Sequence, residues 1–186
     1  MSDTDIINTA QQDFNCISKK RRILSLVLYI VITAVLTQID QITKYIAEQR
    51  LYNKPDFVII KDVLHLTYLR NNGSAFGMFS GKINAFLVLT VIMICLITYV
   101  VLKTPLIRKY IPVYITCILL AAGAIGNFID RVRFGYVRDF IYFKIINFPV
   151  FNVADCYVTV SVIIFIILIL FVYKNEADFA FLSLKK

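Results

Sequence analysis

Four stretches without a charged side chain dominate this sequence. Residues 23–39, 83–102, 110–129 and 156–173 run for 17, 20, 20 and 18 residues without Asp, Glu, Lys or Arg. At about 1.5 Å per helical residue they reach roughly 26 to 30 Å, the thickness of a bilayer hydrocarbon core. Backbone groups in lipid must pair within their own segment, so such stretches are helices. A chain of 186 residues that is 59% hydrophobic and 17% charged is too apolar for an ordinary soluble domain. The expected fold is an all-α membrane core of four transmembrane helices within residues 19–174. Residues 1–18 are polar and aperiodic and read as a disordered tail, and 175–186 as a second tail. Lys19-Lys20-Arg21-Arg22 ahead of the first stretch suggests a signal peptide. That stretch is long for one, however, and no small-x-small cleavage site follows it, so a retained helix is expected.

The net charge of +8 does not indicate nucleic acid, because the Lys and Arg residues sit at span ends and in loops and make no continuous basic face. Arg22, Lys103, Lys109 and Lys174 flank the four spans at one common end, whereas the other ends carry Asp40, Lys82, Asp130 and Asp155. The tetrabasic cluster then places both termini in the cytoplasm and the aspartates on the extracytoplasmic face. Cys16, Cys95, Cys117 and Cys156 show no CxxC or metal-ligand spacing and read as small apolar residues.

The loops on the aspartate side are large. Ile42, Tyr45 and Ile46 continue the helical period of span one, which therefore projects beyond the bilayer. Phe57-Val58-Ile59-Ile60 and Val63-Leu64-His65-Leu66-Thr67-Tyr68 read as strands, and Arg70-Asn71-Asn72-Gly73-Ser74-Ala75-Phe76-Gly77 as a turn-rich polar patch. The second loop holds Phe140-Ile141-Tyr142-Phe143. A small extracytoplasmic β-sheet and a short surface helix resting on the spans are expected. Taken singly, the aspartates have structural accounts. Asp155 opens a helix and suits a cap. Lys44 lies four residues after Asp40 and can pair with it, and Arg131 can neutralise Asp130. Ionisable groups gathered at a membrane edge are nevertheless more often a functional site.

Most catalytic classes fail on these residues. His65 is the single histidine and is followed by Leu66 and Thr67, so HExxH is absent; His65 reads as a loop or packing residue. Gly73-Ser74-Ala75-Phe76-Gly77 is not GxSxG, and a lysine acting as base for Ser74 is an alternative that no residue pattern supports. A pair of carboxylates remains. Held close, two aspartates share a proton, so one takes a proton from water while the other donates to the substrate. An apolar setting favours such a pair. Asp130 has Arg131 and Arg133 beside it, whereas Asp139 precedes Phe140-Ile141-Tyr142-Phe143 and Asp155 lies between Val153-Ala154 and Cys156-Tyr157-Val158. Asp139 and Asp155 are the pair of choice, with Arg138 the one cation next to it. The intervening residues, with Pro149, form a hairpin if the two meet.

At these positions the sequence resembles the bacterial lipoprotein signal peptidases, or type II signal peptidases. The resemblance runs through Asp40-Gln41-Ile42-Thr43-Lys44, Arg70-Asn71-Asn72-Gly73-Ser74-Ala75-Phe76, Gly126-Asn127-Phe128-Ile129-Asp130-Arg131, Val137-Arg138-Asp139-Phe140 and Phe151-Asn152-Val153-Ala154-Asp155, in order and around the same four spans. It implies an aspartic endopeptidase of the bacterial cytoplasmic membrane that removes signal peptides from prolipoproteins, cutting before a diacylglyceryl-modified cysteine. It further implies Asp139 and Asp155 as the catalytic dyad. Asn71, Gly73, Asn127, Asp130, Arg131 and Asn152 match positions that contact substrate or the inhibitor globomycin, and Asp40 and Lys44 match a supporting pair. The partners expected are diacylglyceryl prolipoproteins and membrane lipid, for an enzyme acting as a monomer with no metal or organic cofactor. Ser74 stands where the family usually has Ala, and Arg138 where an apolar residue often precedes the aspartate. A lipid-modified substrate reaches a bilayer-edge site laterally, without extraction of its acyl chains into water. Ala122, Gly123 and Gly126 allow close helix approach beside such a site.

Two other readings compete. A channel or transporter would place charges at the bilayer midplane, and here they stop at the span ends. A purely structural membrane protein would use the aspartates only as caps and ion pairs, and would tolerate their amidation.

Overall fold

In the computed structural model residues 3–73, 83–174 and 178 are described. Four helices form the body: α1 (Asp3–Leu51), α2 (Ile83–Lys103), α3 (Ile111–Phe134) and α4 (Val153–Ile167), the last continued by a π-helical turn, Leu168–Val172. Three strands, β1 (Phe57–Ile60), β2 (Leu64–Asn71) and β3 (Val137–Phe143), lie between them in sequence. Four segments are long and apolar enough to cross a membrane: Lys19–Leu51, Asn84–Lys103, Arg108–Phe134 and Val153–Val172. The first, at 33 residues, exceeds a bilayer core by three to four turns or so, and its last turns carry the sheet.

The helix begins at Asp3, so the stretch read as a disordered tail is continuous with span one. No Gly or Pro occurs between residues 3 and 51, and helix started in the span propagates at little cost. Ser74, Ala75, Phe76 and Gly77 of the polar patch lie outside the described residues, as does the second tail apart from Asp178.

Helix α3 is the central element and packs on each of the other three. Pro112 suits its first turn, where an N–H would be unsatisfied, and Gly135 ends it at φ 76°. Its approach to α4 depends on Gly123. A Cβ there would sit 2.5 Å from the Ala154 carbonyl oxygen and 2.7 Å from Val158 Cγ2. Tyr29, Ile97, Val101, Tyr114, Cys117, Ile118 and Ala121 form the main core. The outer faces of the spans expose Val88, Leu89, Leu96, Ile163 and Phe171, as lipid-facing helices do.

The sheet is antiparallel in the order β1-β2-β3. Its pairing aligns Leu66 with Ile141 and Leu69 with Asp139, so that two residues of β2, Thr67 and Tyr68, oppose one of β3, Phe140, and this bulge carries Asn71 to the level of Val137. The expected hairpin is present: Phe140 and Ile141 donate their N–H groups to the Phe151 carbonyl at 2.9 and 2.8 Å, and Phe151 N–H returns to Ile141 at 3.0 Å. One turn of 3₁₀-helix, Lys144–Ile146, is the short surface helix at its tip. Ala47, Leu51 and Phe140 form a second small core that ties α1 to β3 beneath the sheet.

Candidate active site

Five elements converge where the sheet meets the helix ends. Asp139 comes from β3 and is 1% exposed; Asp155 stands in the first turn of α4. Asn152, itself fully buried, joins them. Its side-chain N–H donates to Asp139 Oδ1 at 2.6 Å, and its main-chain N–H donates to Asp155 Oδ2 at 3.0 Å. Its side-chain oxygen accepts from the Asp155 N–H at 3.1 Å, which completes a capping box for α4. The capping role expected of Asp155 is therefore real, and it presents the other carboxyl oxygen to the site.

Two more amides complete the cradle. Asn71 Nδ2 donates to Asp139 Oδ2 at 2.8 Å, with its own oxygen accepting from the Gly73 N–H at 3.0 Å. Asn127 Nδ2 donates to Asp155 Oδ1 at 2.8 Å. Its orientation is dictated from behind, because Lys44 Nζ donates to Asn127 Oδ1 at 2.8 Å and Asn152 Nδ2 at 3.1 Å. A lysine ammonium has no acceptor, so the amide oxygen must face it and the amide N–H₂ must face Asp155.

Burial and the neighbouring Asp155 carboxylate push the Asp139 carboxyl up to about 7, against the opposing pull of the Asn71 and Asn152 hydrogen bonds and the Lys44 charge. A carboxyl that titrates near neutrality can hold or release a proton during a reaction. Asn71, Gly73, Asn127, Arg131, Asp139 and Asp155 all line one cavity of about 1070 Å³. Its opposite wall is apolar, with Phe148, Pro149, Val150 and Phe151 from the hairpin and Val158 and Val160 from α4.

Asp130 is fully buried and does not line the cavity. Its partner is Arg138 and not the expected Arg131. Arg138 donates from its main-chain N at 2.9 Å and Nε at 3.2 Å to Oδ2, and from a terminal guanidinium nitrogen at 2.8 Å to Oδ1. The same guanidinium reaches Gln41 Oε1 at 3.0 Å and Glu48 Oε2 at 3.3 Å. Adjacent residues of a strand point to opposite faces, so Arg138 turns away from the dyad into this network while Asp139 faces the cavity. Asp40 and Lys44 form the expected pair, at 2.9 Å and fully buried, and Asp40 Oδ1 also accepts from the Ala154 N–H at 2.9 Å. Asp40 thus holds the first turn of α4 from α1. At Gly126 a Cβ would collide with the Asp40 carboxylate, so only glycine admits this contact.

Gln41, Glu48 and Arg138 are the residues that sequence reasoning missed in this support. Gln41, Lys44 and Glu48 are spaced i, i+3, i+7 along α1, a polar stripe past the end of the first apolar run. Arg131 stands apart from these pairs. It reaches the Asn127 and Gly73 carbonyls at 3.4 and 3.5 Å and stacks on Phe86 at 4.8 Å. His65 is buried in β2 with Asp56 Oδ2 at 3.3 Å from its Nδ1, away from the cavity. Among the described residues no three His, Cys, Asp or Glu side chains gather as a metal-binding set.

A family model for signal peptidase (SPase) II matches residues 32–171. This chain belongs to the signal peptidase II family. A lipoprotein signal peptidase of Caldanaerobacter subterraneus is 45% identical over 143 residues, covering 76% of this chain and 95% of that protein. One from Staphylococcus aureus is 40% identical over 141 residues, 75% of this chain and 85% of the relative. Two solved structures of a bacterial membrane enzyme, obtained by the in meso method, are also similar. The one at 2.3 Å has a TM-score of 0.67 and 34% identity over 86% of this chain and 93% of its own. The one at 1.9 Å has a TM-score of 0.68 and 36% identity over 78% of this chain and 94% of its own. Family membership makes the chain a peptidase of the signal peptidase II type, and the four apolar helices make it a multi-pass membrane protein.

Proposed function

We propose that this chain removes signal peptides from bacterial prolipoproteins as an aspartic endopeptidase, with Asp139 and Asp155 as its dyad, and cuts before a diacylglyceryl-modified cysteine. The observation that carries the assignment is the bridge through Asn152. One buried amide and its own backbone N–H hold both carboxyls at the wall of a single cavity. The pair enters the reaction with one proton between its two carboxyls. A water molecule placed between them loses a proton to the ionised carboxyl as its oxygen bonds to the scissile carbonyl carbon, and the protonated carboxyl donates to the carbonyl oxygen. Collapse of the tetrahedral intermediate breaks the C–N bond and sends a proton to the leaving amine. The products are a signal peptide with a free carboxylate and a lipidated cysteine with a free amino group.

Asn71 and Asn127 serve to orient the two carboxyls, and Gly73 and Arg131 to contact the bound peptide. Asn152 and Asp130 act from behind the wall, Asn152 by joining the dyad and Asp130 by anchoring β3. Asp40 and Lys44 support α4 and the Asn127 amide. Globomycin occupies the same cavity in this reading, and the enzyme works as a monomer without a cofactor. It resides in the bacterial cytoplasmic membrane with both termini in the cytoplasm and the sheet outside.

The test is cleavage of a diacylglyceryl prolipoprotein by Asp139→Asn and Asp155→Asn. Each variant is expected to insert normally and to lose processing, and retained cleavage by either removes the dyad. Labelling a single introduced cysteine at Ile145 with an impermeant maleimide tests orientation, since protection in intact cells would invert the topology.

A further inference from the structure

The cavity is chemically divided, and one residue of its polar half is not accounted for by the dyad or its support. Arg70 lies on β2 beside Asn71, lines the cavity and is exposed. Its guanidinium is held between two aromatic rings, at 4.6 Å from the Tyr52 centroid and 5.0 Å from that of Tyr136. Tyr52 is itself fixed edge-on against Tyr68 at 5.4 Å. Stacking restrains the guanidinium, the Tyr68 phenol oxygen takes one of its N–H groups, and the remaining donors of this exposed group stay available to an acceptor in the plane.

Among the described residues no carboxylate takes that place. Among the described residues Arg70 makes no ion pair, and the carboxylates of the same loop are engaged elsewhere: Glu48 with Arg138 and Tyr68, Asp56 with His65, Asp62 with Lys144. Residues 74–82 contain no Asp or Glu. Arg131, on the same side of the cavity, likewise makes no ion pair among the described residues. Arg131 is offset by the nearby Asp155, Asp139 and Asp130 carboxylates, whereas Arg70 stands at the cavity without a carboxylate partner among the described residues.

On the reading proposed above, the acyl chains and the signal helix take the apolar half beside Phe148, Val158 and Val160. The mature polypeptide must then leave past the exposed Arg70 and Asn72. We propose that Arg70 is a specificity residue of this peptidase, selecting for an acidic side chain and against a basic one in the residues just after the lipidated cysteine. A planar, stacked guanidinium recognises a carboxylate in two-point fashion, whereas a lysine ammonium there meets like charge. Because the group is exposed, the effect is modest and screened by salt.

The experiment measures kcat/KM of the full-length protein in bilayer mimetics on three lipidated prolipopeptides that differ only in carrying Asp, Ser or Lys directly after the cysteine. The wild type is expected to prefer Asp to Lys by roughly two- to five-fold at low ionic strength, the range set by one exposed charge pair. The preference should shrink at about 0.5 M salt, where the screening length is only a few ångströms. Arg70→Gln should reduce the Asp-to-Lys ratio toward one, Arg70→Lys should keep part of it, and Arg70→Glu should invert it. The ratio is internal to each variant, so a general loss of activity or folding leaves it unmoved. A wild-type ratio of one, or an unchanged ratio in Arg70→Gln, overturns the proposal while the peptidase reading stands. Failure of the wild type to cut any of the three would instead strike the peptidase reading itself.

Discussion

Replacing Asn152 separates its two roles in the site. Its side-chain oxygen caps α4 through the Asp155 N–H, and its side-chain N–H donates to Asp139 at 2.6 Å. Serine can keep the cap and loses the donor reach; alanine loses both. Removing a cap costs about 1 kcal/mol of stability. Removing a hydrogen bond to a charged group is worth about 1.5 to 3 kcal/mol, or roughly one to two pKa units at 1.36 kcal/mol per unit. The sign is definite. The Asn152 hydrogen bond holds the Asp139 carboxyl down, and burial with the Asp155 charge has already raised it to about 7, so its loss moves the carboxyl higher. The active form carries one proton on the pair, and activity is lost on the basic side as that proton leaves. The basic limb of the kcat profile is therefore expected to move up by roughly one pH unit in both variants. Asn152→Ala should lose more thermal stability than Asn152→Ser, by about the 1 kcal/mol of the cap. The assay is kcat against pH from about 5 to 9.5, with a thermal melt of the same preparations. A basic limb in Asn152→Ser that stays in place or moves down would refute the account of how Asp139 is tuned.

Gly123→Ala places a methyl against the Ala154 carbonyl, which is backbone and cannot yield. A loss of about 1 to 3 kcal/mol with a parallel fall in kcat is expected, because the displaced helix carries Asp155; an unchanged melt would contradict the packing. Arg138→Met takes the nearest cation from buried Asp130, leaving Gln41 at 3.2 Å and Lys44 at 3.7 Å, and should cost about 3 kcal/mol, most of it recovered in the Arg138→Met/Asp130→Leu double variant. An additive double-mutant cycle would deny the pair. Lys44→Met combined with Asp40→Asn removes both buried charges, and is expected to melt close to the wild type yet stay low in kcat, since only the weaker Asn152 Nδ2 hydrogen bond then directs the Asn127 amide toward Asp155. Normal kcat in that double variant would sink the orienting role of Lys44.

Legibility varied with the range of the interaction. The spans were readable because hydrocarbon thickness demands an uncharged stretch of known length, and the strands because Phe57–Ile60 and Leu64–Tyr68 are apolar runs bounded by turn residues. The Asp40–Lys44 pair is an i, i+4 contact on one helix, set by helical geometry alone. The partner of Asp130 was not readable. Arg131 is adjacent in sequence, but a helix turns neighbouring side chains about 100° apart, and the cation that reaches Asp130 comes from the next strand. The extent of α1 toward Asp3 was missed because polar residues without periodicity give no signal, although nothing in them stops a helix.

The sequence by itself determined four membrane helices, a small sheet at one end and a set of polar motifs in the order of the signal peptidase II family. The helices and strands rest on local composition and periodicity, and the motifs on a resemblance of short stretches in order. Only the tertiary structure decided what those motifs do to one another. Strand alternation turned Arg138 from a neighbour of the dyad into the anchor of Asp130. The β2 bulge and the 140–151 hairpin brought Asn71 and Asn152 onto Asp139, and Lys44 set the direction of the Asn127 amide. Hydrogen bonds between residues dozens of positions apart depend on angles and ångströms that no local pattern encodes.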